Sequence, residues 1–269
     1  MKTLFVAWQD PKSREWYPVG RLTHDGRYRF VYTAGARVSP DFLPFGRMTD
    51  LYATYESESL FPLFTNRLLP KSRPEYADYL RWLDVNEDDP LSPLAILARS
   101  GGLRSTDSLE IFPEPERTPD GYYEVTFVVH GLRYLPKSAI DHIEQLKPGV
   151  RLYAMLDVQN PFHSLALALR TDLPPVFIGY CPRYLCKDFQ KVLEFSKPEN
   201  AKVLVRKVNA DAPPQYRVLC KFSAPWPTQF DPCKGSRYRP LAQSDRLTAA
   251  PAGLRVVNSS GLYAGSNGV

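Results

Sequence analysis

Apolar residues alternate with polar ones near the start of the chain. LFVAW from Leu4, YPVGRL from Tyr17 and RYRFVYT from Arg27 each read as a short strand, and the His24-Asp25-Gly26 turn makes the last two a hairpin. After a loop broken by proline and glycine, SLFPLFTNRLLP (59–70), RPEYADYLRWL (73–83) and DPLSPLAILARSGG (89–102) read as three short helices. Pro93 suits the first turn of the third, and Gly101-Gly102 stops it. Residues 112–121 (FPEPERTPDG) hold three prolines and a Pro-Asp-Gly turn, which marks a boundary.

Beyond that boundary the pattern is strand-rich again. YYEVTFVV (122–129), RLYAMLDV (151–158), SLALALR (164–170), PVFIGY (175–180), KVLVRKV (202–208) and YRVLCKF (216–222) predict six strands. Residues 137–146 and 183–195 predict two helices, the first ended by Pro148-Gly149. Short strands and two helices in this length suit a small barrel capped by helices. From Leu241 onward Ala, Gly, Ser and Asn dominate, and a disordered tail is predicted. The expected organisation is α+β: a small antiparallel sheet with helices over 1–112, a linker over 113–121, a six-stranded barrel domain over 122–240, and the tail over 241–269.

Composition adds a direction. With 269 residues, 43% of them hydrophobic, and 26 prolines, the chain has room for two compact domains with long connections. Residues 1–120 carry 15 Lys/Arg against 18 Asp/Glu, and residues 121–240 carry 17 against 10. A basic second half beside a slightly acidic first half is the asymmetry expected when one of them meets a polyanion. The apolar run in MKTLFVAW is too short for a signal-peptide core, and no stretch approaches a membrane span. A cytoplasmic location is therefore expected, with Cys181, Cys186, Cys220 and Cys233 as reduced thiols. Their spacing contains no two-residue knuckle, so no metal site is expected.

Three blocks in the second half carry a family resemblance: HGLRY at 130–134, DVQNPFHSLALAL at 157–169 and IGYCPRYL at 178–185. In this order the segment from about 120 to 225 resembles the HIRAN domain, a module found alone in bacterial proteins and attached to remodelling helicases in eukaryotes. The resemblance implies a modified OB-type barrel that holds the 3′ end of single-stranded DNA. Carried over by position, Arg133 contacts phosphate, Tyr134 and Phe162 form a stacking platform, and Asn160 shapes the turn before the aromatic. His163 stands where the family usually has an acidic residue that accepts the terminal hydroxyl. Tyr180, Arg183 and Lys187 complete the candidate set, Arg183, Lys187 and Lys191 forming a basic stripe at four-residue spacing on one helix. Structural roles compete at each position: Tyr134 as a barrel aromatic, Phe162 as a plug over the barrel mouth, Arg133 paired with Asp157 or Glu124, and the stripe as a solvated face.

The first half resembles the amino-terminal subdomain of HipA-type toxin kinases, on VGRL at 19–22, YRFVYT at 28–33, FTNRLLPKSRPEY at 64–76 and PLAILARSGG at 93–102. That resemblance covers about residues 4–112 and implies an interaction domain that packs on a larger partner. No Gly-rich phosphate loop, His-x-Asp or Asp-Phe-Gly element accompanies it. His24, His130, His142 and His163 show no ligand spacing with carboxylates, and Ser59, Ser100 and Ser108 lack a nucleophile elbow. The acidic run Glu87-Asp88-Asp89 reads as a solvated helix approach. The expectation is a non-enzyme without cofactor that binds single-stranded DNA or DNA 3′ ends, with a protein partner engaged through residues 1–112. The alternative is a protein-interaction or antitoxin-like regulator of a HipA-type kinase with no DNA ligand; repair, toxin regulation and phage defence all stay open as the setting.

Overall fold

The computed structural model describes residues 2–89, 91–104, 106–197, 199–242 and 255–257. The chain forms two compact units, each with a six-stranded antiparallel sheet, in a mixed α and β architecture.

The first unit gathers residues 1–68, 101–114 and 233–269. Its strands are β1 (Lys2–Gln9), β2 (Trp16–His24), β3 (Tyr28–Tyr32), β4 (Thr54–Ser57), β5 (Leu109–Pro113) and a late strand, Arg255–Val257, which pairs with β4. The hairpin expected from Asp25-Gly26 is present, and β1 lies between β2 and β5. Helix α1 is one turn, Pro62–Thr65, where a longer helix was predicted. Its Phe61 and Phe64 are wholly buried, with Phe30 and Tyr32. The FPLF run is thus consumed in the unit's own core. Arg67, also buried, donates to Gly102 O (2.7 Å) and pairs with Asp107 (2.6 Å).

The second unit comprises residues 69–100 and 115–232. It holds α2 (Tyr76–Leu83), α3 (Ser92–Ser100), α4 (Lys137–Glu144) and α5 (Arg183–Phe195). Its strands are β6 (Tyr122–Val128), β7 (Arg151–Leu156), β8 (Leu167–Arg170), β9 (Phe177–Tyr180), β10 (Lys202–Val208) and β11 (Val218–Pro225), ordered β6-β11-β10-β7-β8-β9. Every sequence-predicted strand of this half appears. Beyond β6, His130 and Tyr180 exchange two backbone hydrogen bonds of 2.9 Å, so the last strand returns to the exit of the first and the sheet curls closed. Phe127, Phe189, Phe222, Leu169 and Ile178 fill the interior.

Two boundaries differ from those predicted. Helices α2 and α3, expected in a 1–112 domain, belong to the second unit: Trp82 stacks on Tyr216, its carbonyl accepts from Asn209 (3.0 Å), and Arg81 pairs with Asp211. Residues 233–240, expected in the barrel domain, belong to the first unit, where Arg239 O accepts from Ala34 N (2.8 Å) and Tyr238 packs edge-on against Phe5. Of the tail predicted as disordered, 255–257 form a strand, and most of the rest lies outside the described residues.

Candidate nucleic-acid interface

The Arg133-Tyr134 pair is positioned by the closure of the sheet. His130 sits on β9 through its backbone, Gly131 turns the chain with φ 86°, and residues 132–134 make one 3-10 turn. Leu132 points into the core as the anchor, which leaves Arg133 and Tyr134 outside. Tyr134 is 73% exposed. The Arg133 guanidinium lies 4.6 Å from the centre of its ring and donates to its hydroxyl. Close approach at this seam requires Gly179: it has φ 134°, and a Cβ there would lie 2.5 Å from His130 O and 2.7 Å from Val129 Cγ1.

The 157–163 turn, between β7 and β8, is built around two side chains. Asn160 Oδ1 accepts from the backbone N–H groups of Phe162 and His163, both at 3.0 Å, while Asn160 Nδ2 donates to Asp157 Oδ2 at 3.0 Å. Tyr180 Oη donates to the same carboxylate oxygen at 2.9 Å. These donors, Asn160 first and Tyr180 second, hold the Asp157 carboxyl below its ordinary value. Burial, followed by the hydrogen bond to Asp157, pushes the Tyr180 phenol up. Phe162 is held on this braced turn with 75% of its surface exposed. Tyr180 therefore ties both turns together, one through its backbone and the other through its hydroxyl.

Arg183 opens α5 just beyond Tyr180. Burial first, and the positive charge of Arg183 second, push His130 down to about 4 and lower His163. Both imidazoles are thus neutral at neutral pH. Lys187 is exposed one turn further along α5, and so is Lys191. The alternative partners of Arg133 are engaged elsewhere: Asp157 by Asn160 and Tyr180, Glu124 by Lys221 at 2.7 Å. Asp157 and Gly179 did not stand out from the sequence as site-builders; the Asp-x-x-Asn spacing and the Gly-Tyr pair at the strand exit are the signals that mark them.

Three of the cysteines, Cys181, Cys186 and Cys220, are buried outside any disulfide, and burial raises the Cys181 and Cys220 thiols so that they stay protonated. Among the described residues no three His, Cys, Asp or Glu side chains are grouped to hold a metal ion, and no helix is long and apolar enough to cross a membrane.

No family model and no curated protein matches the chain. Two solved structures are similar to part of it. A protein from Lactobacillus plantarum is 16% identical with a TM-score of 0.29, over 39% of this chain and 99% of that one. The HIRAN domain of human HLTF is 13% identical with a TM-score of 0.28, over 40% of this chain and 84% of that one.

Proposed function

We propose that the second unit binds single-stranded nucleic acid and takes an unpaired 3′ end at the two turns, acting by binding rather than catalysis. The observation that carries this reading is the pair of aromatic rings, Tyr134 and Phe162, left three-quarters exposed on turns that are themselves hydrogen-bonded or anchored in the core. Exposed rings on held backbone lose little freedom when a base stacks on them. Arg133, already lying on the Tyr134 ring, adds a planar donor for phosphate beside the stacking face. The HIRAN-like blocks in the sequence assign the same residues to the same task.

One observation favours a second reading. Leu156 and Val158 are exposed beside the Phe162 turn, and such apolar surface also suits a protein partner with no nucleic-acid ligand. The FPLF run does not support a partner for the first unit, because Phe61 and Phe64 are buried.

Fluorescence anisotropy of the full chain with a labelled single strand and with the blunt duplex of the same sequence separates the readings. The single strand is expected to bind more tightly, with Tyr134→Ala and Phe162→Ala each costing about 5- to 100-fold, the equivalent of one stacked base. Equal affinity for strand and duplex, or indifference to both substitutions, contradicts the proposal.

A further inference from the structure

The face of β7 and β8 opposite the core carries a group of side chains that the end site does not use. Leu152, Leu167 and Leu169 point into the core, so Arg151 and Tyr153 on β7 and Arg170 on β8 point the other way. Tyr153 lies directly across from Arg170 in the register, and both guanidinium groups approach its ring at 5.1 Å, one along the strand and one across it. Each is also held by a backbone carbonyl: Arg151 Nη2 donates to Ala201 O at 3.2 Å, and Arg170 Nη1 donates to Thr171 O at 2.7 Å. Across the next register position Arg170 faces Phe177, whose ring packs edge-on at 5.1 Å against Tyr180. Tyr180 is the residue that braces the Phe162 turn through Asp157.

We propose that this face is a phosphate track, in which Arg151 and Arg170 hold the backbone of the strand that leads away from the bound end. The inference rests on the proposed binding of a single strand at the two turns. Guanidinium groups held over one ring and by backbone carbonyls are partly ordered before binding, and their planar N–H forks match the geometry of phosphate oxygens. The charge suits a polyanion, with Asp172 as the opposing group: it lies 3.9 Å from Arg170, is within 3.5 Å of the Tyr153 hydroxyl, and is 65% exposed. Asp157 lies six positions beyond Arg151 along β7 and its exit, a run of about 20 Å at roughly 3.3 Å per residue, enough for several nucleotides.

The test uses the full chain and 5′-labelled oligothymidylates of three and ten nucleotides in anisotropy titrations at several salt concentrations. In the wild type the ten-mer is expected to bind about tenfold or more tightly than the trimer, consistent with the several-nucleotide sites of single-strand-binding barrels. Arg151→Gln with Arg170→Gln should remove that gain, lower the salt slope for the ten-mer by about 1.4, and leave the trimer within about twofold, since each phosphate contact contributes about 0.7. Asp172→Asn, which removes an exposed carboxylate, should tighten the ten-mer by about twofold and leave the trimer unchanged. A length gain that survives the double substitution, or a ten-mer indifferent to Asp172→Asn, overturns the track. Binding without any length gain overturns it alone; no binding of either oligonucleotide overturns the end site as well.

Discussion

Asp188 lies on α5 between Lys187 and Lys191, and burial pushes its carboxyl up to about 6 even though both lysines oppose the change. The folded chain therefore holds this proton more tightly than the unfolded chain, whose carboxyl titrates near 3.8. The charged form costs stability above pH 6, and that cost disappears as the pH falls from 6 to 3.8. Asp188→Asn is expected to be more stable than the wild type by about 1–3 kcal/mol at pH 8 and equal to it at pH 4, by chemical denaturation. A difference independent of pH would contradict this. His163 shows where the sequence alone misleads. An ordinary imidazole titrates near 6.5, inside the physiological range, but burial and Arg183 lower this one. The preference between a free and a phosphorylated 3′ end should accordingly stay constant from pH 8 to about 6.5 and change only in more acid solution, where the cation attracts the phosphate. A change centred at or above pH 6.5 would show the ring to be unshielded. Arg133, Tyr134 and Phe162 were legible as motif positions, whereas Asp157 was not, because its hydrogen bond to Tyr180 joins residues that are remote in the chain.

At the level of elements, the second half was readable because its strands alternate cleanly and its turns carry glycine and proline. Strand β4 was missed: TYES offers four residues and little apolar contrast, and it becomes a strand by pairing with β3. Strand β5 was partly hidden within the segment taken for a boundary, since Phe112 and Pro113 open that proline-rich run. The predicted helix over 59–70 shrinks to one turn, with Pro62 at its start and Pro70 soon after it limiting its length. Periodicity said nothing of which sheet α2 and α3 would join; Trp82 and Asn209 decide that through contacts far apart in sequence. Closure of the curled sheet depends on one backbone position. Gly179→Ala would place a methyl 2.5 Å from His130 O at φ 134°, and it is expected to lower the unfolding free energy by about 3 kcal/mol or more. A loss below about 0.5 kcal/mol, the scale of ordinary surface substitutions, would mean the seam is not closed as described.

For the whole molecule, the folded arrangement redistributes the charge that the linear sequence had divided. The second unit, residues 69–100 and 115–232, contains 19 Lys/Arg and 18 Asp/Glu, so the basic surplus of residues 121–240 does not survive as a property of the unit. Lys234, Arg237 and Arg239 fall to the first unit, and residues 69–100 bring six carboxylates against four cations; within the unit Asp84 pairs with Arg206, while Asp211 holds Arg81. A polyanion would consequently be recognised by local groups rather than by net charge, at Arg133 on the Tyr134 ring and at the guanidinium pair around Tyr153. In the proposed reading the decisive feature is the end of the strand, whose terminal base the two turns would take. The most direct measurement is a competition between a linear single strand and the same strand closed into a circle, for the full chain and for Phe162→Ala. The linear strand should bind about tenfold more tightly to the wild type, the worth of roughly one stacked terminal base, and lose that advantage in the variant; a circle that competes equally with the linear strand for the wild type would contradict end recognition.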